Sequence, residues 1–172
     1  HSVKNIDDPV RVFRIACETV APKVIESASG TSNEAQMPSI AVLPFDNMSS
    51  DAEQDFFADG LTEDIITELS RFNDLFVISR NSTFTFKGKA TRAKEVAEQL
   101  NVRYVVEGSV RKAGNRVRVN VQLIDGSADR HVWAERYDRD LEDIFEIQDE
   151  ITASIASTLP GRIVADNVDR AR

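Results

Sequence analysis

Hydrophobic positions from residue 39 onward predict strands and helices in alternation. Residues 39–45 form a short apolar run interrupted by a proline, which is typical of a buried strand. Apolar residues spaced three or four apart then predict an amphipathic helix over residues 59–72. A second apolar run at residues 75–78 predicts a second strand, and residues 91–100 predict a short helix that is capped by Thr91.

The middle of the chain predicts three further strands. Residues 102–111 form the first of them, and residues 117–123 alternate apolar with polar side chains, as a strand with one solvent-facing side does. Gly114 and Asn115 lie between these two strands and are a turn signal, so the pair is predicted to be a hairpin. The last strand is predicted around residues 132–134.

A long helix is predicted over residues 140–159, because isoleucines and a leucine recur on one face until Pro160 and Gly161 end it. That apolar face can pack on the sheet, or its far half can pack against a further module or a second subunit. The order of elements predicts an α/β fold. Its mixed sheet has about five strands, two crossover helices that cover one face, and a long C-terminal helix.

The composition narrows the class of protein. The 172 residues include 29 acidic and 21 basic side chains, and the resulting net charge of -8 argues against general nucleic-acid binding. No apolar run exceeds four residues, so we predict no membrane segment, no signal peptide and a cytoplasmic location. One cysteine and two histidines are too few for a Cys/His zinc site, and no cofactor is expected.

The net charge hides two segments of opposite sign. Residues 46–74 hold nine acidic residues and one basic residue, whereas residues 80–118 hold ten basic and three acidic residues. The basic segment predicts a face that interacts with an acidic partner surface, or a solvated strand face without a special role. Nucleic-acid binding through it is the weaker alternative. The candidate residues of the interaction face are Arg80, Lys87, Lys89, Arg111, Arg116 and Arg118.

Four acidic residues are the best candidates for a metal site: Asp55, Asp59, Glu63 and Asp64. Acidic side chains at the start of a helix are also favoured by its dipole, and Asp59 can cap the helix. Because the spacing matches no calcium-binding loop, we predict no metal site. The sequence also lacks the glycine-rich patterns that bind phosphates, and no arrangement of residues indicates catalysis, so no catalytic residue is predicted.

The first fifteen residues are similar to the end of a known catalytic domain. Lys4-Asn5-Ile6 and, two residues later, Pro9-Val10-x-Val12 resemble the last strand of class III nucleotide cyclase domains. The resemblance implies that residues 1–15 are that terminal strand and that the catalytic residues of the cyclase would precede it. Residues 16–38 are rich in Ala, Ser, Thr, Glu and Pro, which is typical of a linker.

Residues 39–160 resemble a second family. The resemblance is carried, in order, by SIAVLPF at 39–45, FADGLTE at 57–63, GSVR at 108–111 and WAERYD at 133–138. The family is the TolB amino-terminal-like domain of bacterial signalling proteins. There the domain often lies between an effector, either a class III cyclase or a winged-helix DNA-binding domain, and tetratricopeptide repeats. Residues 161–172 would then begin a linker to such repeats.

Together the resemblances imply a non-catalytic regulatory or protein-interaction domain of a bacterial adenylate or guanylate cyclase. Such a domain would serve signal transduction by coupling the binding of a partner or ligand to the pairing of two cyclase subunits. The expected partners are neighbouring domains of the parent chain, another protein, or a second copy in a homodimer. The alternative is a stand-alone module that binds a small ligand or a peptide.

Overall fold

A six-stranded mixed sheet is the centre of the fold in the computed structural model, which describes residues 37–171. The strands are β1 (Ser39–Val42), β2 (Asp46–Asn47), β3 (Phe76–Val77), β4 (Tyr104–Ala113), β5 (Arg116–Asp125) and β6 (Arg130–Asp140). The helices are α1 (Glu53–Leu69), α2 (Arg80–Thr83), α3 (Ala93–Leu100) and α4 (Ile144–Ala171), with a 3₁₀ turn at Phe84–Phe86. The predicted cyclase strand at residues 1–15 and most of the predicted linker lie outside the described residues.

The sheet combines a parallel half with an antiparallel half. Its order is β3-β1-β4-β5-β6, in which β1 runs parallel to both β3 and β4 while β4, β5 and β6 form an antiparallel meander. Gly114 supplies the positive φ of 60° that the tight turn between β4 and β5 requires. The predicted α/β class, mixed sheet and hairpin are therefore confirmed. The additional strand is β2, two residues that pair with β4.

One face of the sheet packs against α1 and α4. Every second residue of β4 and β5 points to this side, so that Tyr104, Val121 and Leu123 are fully buried with residues of the two helices. Leu61 of α1 and Ile155 of α4 lie in the same cluster and are 0% exposed. This cluster is the main hydrophobic core.

The opposite face packs against α3, so the prediction that the helices cover a single face is wrong. Val96 of α3 is buried with Val105 and Ile124. Gly126 allows this close approach, because a Cβ atom there would lie 2.3 Å from the Cβ of Ala97. The reason for the two-sided arrangement is that β3 and β4 flank β1 on opposite sides. Right-handed crossovers that run in opposite directions place their helices on opposite faces.

Both predicted helix starts in the first half of the chain are wrong. Helix α1 begins at Glu53, six residues before the expected start, and the side chain of Asp51 accepts a hydrogen bond of 3.0 Å from the Glu53 backbone. Asp59 therefore lies inside the helix and does not cap it. Helix α3 begins at Ala93 without a side-chain cap, so Thr91 does not cap it either.

The predicted end of the last helix at Pro160 and Gly161 is also wrong, because α4 continues to Ala171. Proline removes one backbone hydrogen bond from a helix, but the apolar face of α4 continues beyond it with Ile163, which is 0% exposed. The far half of α4 thus packs on the same domain, which was one of the two alternatives. No helix within residues 37–171 combines the length and apolar character needed to cross a membrane.

Candidate functional site

The carboxyl end of β1 is the point in the sheet where a binding crevice is expected. β1 has parallel neighbours on both sides, and the helices of the crossovers to those neighbours, α1 and α3, pack on opposite faces of the sheet. In open α/β sheets such a reversal of strand order separates the loops and leaves a crevice beyond the strand ends. A cavity of about 300 Å³ lies there, bounded by the chain after β1, the loop before α3 and the middle of β4.

The lining of this crevice joins cationic, acidic and apolar groups. The lining residues that bear on its chemistry are two cations, two acids and two apolar side chains: Lys89, Arg92, Asp46, Glu107, Leu43 and Phe86. The first turn of α3 begins directly after Arg92 and has no side-chain cap, so its free backbone N–H groups add partial positive charge. The crevice is thus suited to a small ligand that carries a negative group and an apolar part.

Glu107 is a half-buried carboxyl group in the wall of the crevice. Burial raises the pKa of Glu107 above its usual value, and the carboxylates of Asp46 and Asp129 raise it further, against an opposing effect of His131. A carboxyl group with a raised pKa can donate a hydrogen bond over a wider pH range than an exposed one. Glu107 thus places a half-buried carboxyl group beside the two cations of the crevice.

The candidate interaction residues that precede α3 contact the acidic helix α1. Arg80 forms an ion pair of 3.2 Å with Glu63, and Lys87 pairs with Asp59. Lys89 instead lines the crevice. The fold thus brings the basic segment against the acidic segment, and part of the charge segregation in the sequence is neutralised within the domain.

The other three candidate interaction residues lie at the far end of the β4–β5 hairpin, on the sheet face that α3 leaves open. Arg118 donates to Asp138 at 2.7 Å, and this hydrogen bond lowers the pKa of Asp138. Arg116 lies 3.7 Å from Asp140, and Arg111 lies directly opposite Arg118 across the two strands. The six residues consequently form two separate groups, and their role in partner binding stays a prediction.

The four acidic residues considered for a metal have separate partners. Asn47 donates to Asp55, Lys87 pairs with Asp59, and Arg80 pairs with Glu63, while Gln148 of α4 donates to Asp64. Among residues 37–171, no three His, Cys, Asp or Glu side chains are grouped so that they could hold a metal ion. In this fold all four accept hydrogen bonds or form ion pairs that join α1 to neighbouring elements.

A polar network at the end of α4 was missed in the sequence. Asp166 is buried and accepts a hydrogen bond of 2.8 Å from the Tyr104 hydroxyl, and it also pairs with Arg130. Arg170 donates to the fully buried Asp125 at 2.7 Å. Burial raises the pKa of Asp166, but the bonds from Arg130 and Tyr104 outweigh it, so the net shift is downward. The apolar spacing that continues beyond Pro160 with Ile163 was the feature of the sequence that could have predicted this part of α4.

Comparison with known families and curated proteins places this fold in context. The model of the family described as "HilA/YgeH-like transcriptional regulator, second domain" matches residues 35–154. A curated protein of Rhizobium meliloti (strain 1021), "Putative adenylate cyclase 3", is 52% identical over 172 residues. That match covers 99% of this chain and 29% of the relative, so the chain spans less than a third of the relative's length.

Solved structures that are similar to this chain have low sequence identity to it. Lipoprotein GNA1162 from Neisseria meningitidis superposes with a TM-score of 0.52 at 17% identity, covering 70% of this chain and 99% of that chain. TolB from Acinetobacter baumannii has a TM-score of 0.49 at 22% identity, covering 72% of this chain and 29% of that chain. The first of these supports the mixed α/β architecture and nothing beyond it.

Proposed function

Since the chain belongs to the family of HilA/YgeH-like transcriptional regulator second domains, we propose that it is a non-catalytic accessory domain that regulates an adenylate cyclase in the same polypeptide. The observation that carries this proposal is the 52% identity to the Rhizobium meliloti relative over 172 residues. The relative is named as an adenylate cyclase, and the matched part is 29% of its length.

The two comparisons together favour an accessory role. The family takes its name from transcriptional regulators, whereas the relative is named as a cyclase. A domain that accompanies two different effector activities contributes something other than the chemistry of either effector. Binding and regulation are the functions that both effectors can share.

The described structure supports binding surfaces better than a reaction centre. The crevice at the carboxyl end of β1 holds Lys89, Arg92 and Glu107 but no pairing of a nucleophile with a base. A partner or ligand that binds this domain could favour one arrangement of two cyclase subunits over another. Such coupling is limited to the difference in the binding free energies of the partner for the two arrangements.

The test compares cyclase rates of the full gene product with and without this domain. The deletion should span residues 38–171, because a cut at residue 160 would leave Ile163 and Asp166 without the sheet on which they pack. A matched control replaces the domain with an unrelated folded domain of similar length, which keeps the spacing. We expect a changed rate or a lost response for both variants. An unchanged rate and an unchanged response would contradict the proposal.

A second candidate function is the binding of a small anionic ligand, which the crevice at the end of β1 favours. A thermal-shift screen of carboxylates and nucleotides would reveal a ligand, because binding to the folded state raises the unfolding temperature. We expect the shift to be lost in Arg92→Ala and kept in Lys94→Ala, since Lys94 is exposed and does not line the crevice. A shift that survives in Arg92→Ala would place the ligand elsewhere.

A further inference from the structure

Helices α1 and α4 lie side by side, and we call the outer surface along their line of contact the α1–α4 seam. Gln148 of α4 contacts both Gly60 and Asp64 of α1, and residues further along both helices, Thr67 and Thr152, line one common cavity. The two helices therefore run parallel, with their amino-terminal ends side by side. The seventeen residues of α1 correspond to about 25 Å of helix, which is enough to seat a peptide helix of similar length.

The seam carries negative charge on both sides. Helix α1 and residues 144–159 of α4 contain nine acidic residues and no lysine or arginine. Several of these acids are paired with cations from other elements, but Asp64 and Asp149, on opposite sides of the seam, have no cationic partner among residues 37–171. The seam thus attracts positive charge.

A groove between the two helices contains a buried polar group without a partner. The groove has a volume of about 310 Å³ and is lined by Asp64, Glu68, Asp149 and Thr152. Thr152 is 4% exposed, and its Oγ1 atom has no hydrogen-bond partner within the described residues. Buried hydroxyl groups are nearly always hydrogen-bonded, so the unpaired Oγ1 atom marks the wall of this groove as a place where the domain leaves a polar group unsatisfied.

Exposed aromatic side chains lie at the amino-terminal end of the seam. Phe56 is 82% exposed and Phe145 is 74% exposed, and each belongs to the first turns of its helix. The buried Gln54 lies at the same end, and its Oε1 atom also lacks a partner among residues 37–171. Large exposed aromatic side chains beside a groove are typical of surfaces that bind other proteins.

We propose that the α1–α4 seam binds a basic amphipathic helix of a partner protein, with lysine or arginine side chains in the groove and apolar side chains on Phe56 and Phe145. An amphipathic helix in a groove is a recurrent mode of peptide recognition. The acidic lining selects a cationic partner, and the aromatic residues select one with an apolar face. The inference deepens the proposed regulatory function by naming the class of partner.

The test measures binding of a model peptide to the chain of residues 1–172. The probe is a labelled helix of about 18 residues in which leucines follow the helical period and the other positions are lysine. Fluorescence anisotropy should give a Kd that rises about tenfold in Asp149→Lys and in Phe145→Ser. The matched control Asp169→Lys makes the same charge change at an exposed position of α4 away from the groove, and its Kd should stay within about twofold of the unmodified chain.

Three results would overturn the proposal. The first is an equal Kd for Asp149→Lys and Asp169→Lys. The second is equal affinity for a peptide whose leucines are replaced by serine, because charge alone would then explain binding. The third is self-association that Asp149→Lys abolishes, which would make a second copy the occupant. The assay involves no cyclase, so its failure is distinguishable from failure of the regulatory function.

Discussion

One face of the sheet is covered along its length by α1 and α4, whereas the other face is covered over part of its area by the eight-residue helix α3 and by Phe86 of the 3₁₀ turn. The covered face buries large side chains from α1, α4, β4, β5 and β6. The open part of the other face presents Arg111, Arg118 and Asp138. The same strands thus supply the core on one side and a charged surface on the other, because successive side chains of a strand point to opposite faces.

This difference separates residues that hold the fold from residues that are free to bind. Removing a side chain from the covered face should cost stability, since little solvent can fill the space that it leaves. Removing a side chain from the open part should leave the free energy of unfolding unchanged, because water solvates the polar groups that the side chain contacted. The predictions below test that separation.

The largest effect is expected for a leucine of the covered face. Leu61 is 0% exposed in the main cluster, whereas Leu43 is 9% exposed and packs with α3 beside the crevice. We expect Leu61→Ala to lower the free energy of unfolding by about 4 kcal/mol and Leu43→Ala by about 2 kcal/mol. The loss is smaller for Leu43→Ala because the space that its side chain leaves beside the crevice can collapse or fill with water. Urea unfolding of both variants measures the difference. Equal losses would show that the α3 side is packed as firmly as the covered face.

A smaller effect is expected for the polar end of the covered face. Asp166→Asn removes the charge that Tyr104 and Arg130 stabilise, and we expect a loss of about 2 kcal/mol at neutral pH. The pKa of Asp166 is lowered by folding, so its contribution is complete above the unfolded pKa of about 3.9 and is lost as the pH falls through the folded value.

The measurement for Asp166 is the free energy of unfolding as a function of pH. The difference between the unmodified chain and Asp166→Asn should be largest near neutral pH and should shrink below about pH 4. A difference that stays constant down to the acidic limit would mean that the carboxylate charge of Asp166 does not stabilise the native state.

Much of this arrangement could be predicted from periodicity and turn residues. Residues 117–123 of β5 alternate apolar with polar side chains, Gly114 marks the turn before them, and the core residues of α1 and α4 follow helical spacing, so the fold class could be predicted. The placement of α3 could not be predicted, because the spacing of apolar residues shows that a helix has a buried face but not on which side of the sheet the helix packs. That side depends on strand order, which only tertiary structure supplies.

The candidate sites were harder to predict from the sequence than the fold was. The six basic residues lie within one basic segment of the sequence, but Arg80 and Lys87 pair with α1 while Arg118 pairs with β6. The crevice and the α1–α4 seam each join residues far apart in sequence, such as Lys89 with Glu107 and Asp64 with Asp149. Proline at position 160 also hid the second half of α4, since helix interiors rarely tolerate it.

The smallest effect on stability is expected for an ion pair of the open surface. Comparing it with an ion pair of the covered face tests most directly whether residues that hold the fold are separate from residues that are free to bind. Arg118 bonds Asp138 across neighbouring strands on the open side, whereas Arg139 bonds Glu150 at 2.9 and 2.7 Å and so joins β6 to α4. We expect no measurable change in the urea midpoint for Arg118→Ala. For Arg139→Ala we expect a loss below about 1 kcal/mol, since the pair is partly exposed and salt screens it. If Arg118→Ala destabilises as much as Arg139→Ala, the open surface is itself part of the fold's support. The predicted role of Arg111, Arg116 and Arg118 in binding a partner would then lose its physical basis, because residues committed to holding strands together are not free to exchange partners.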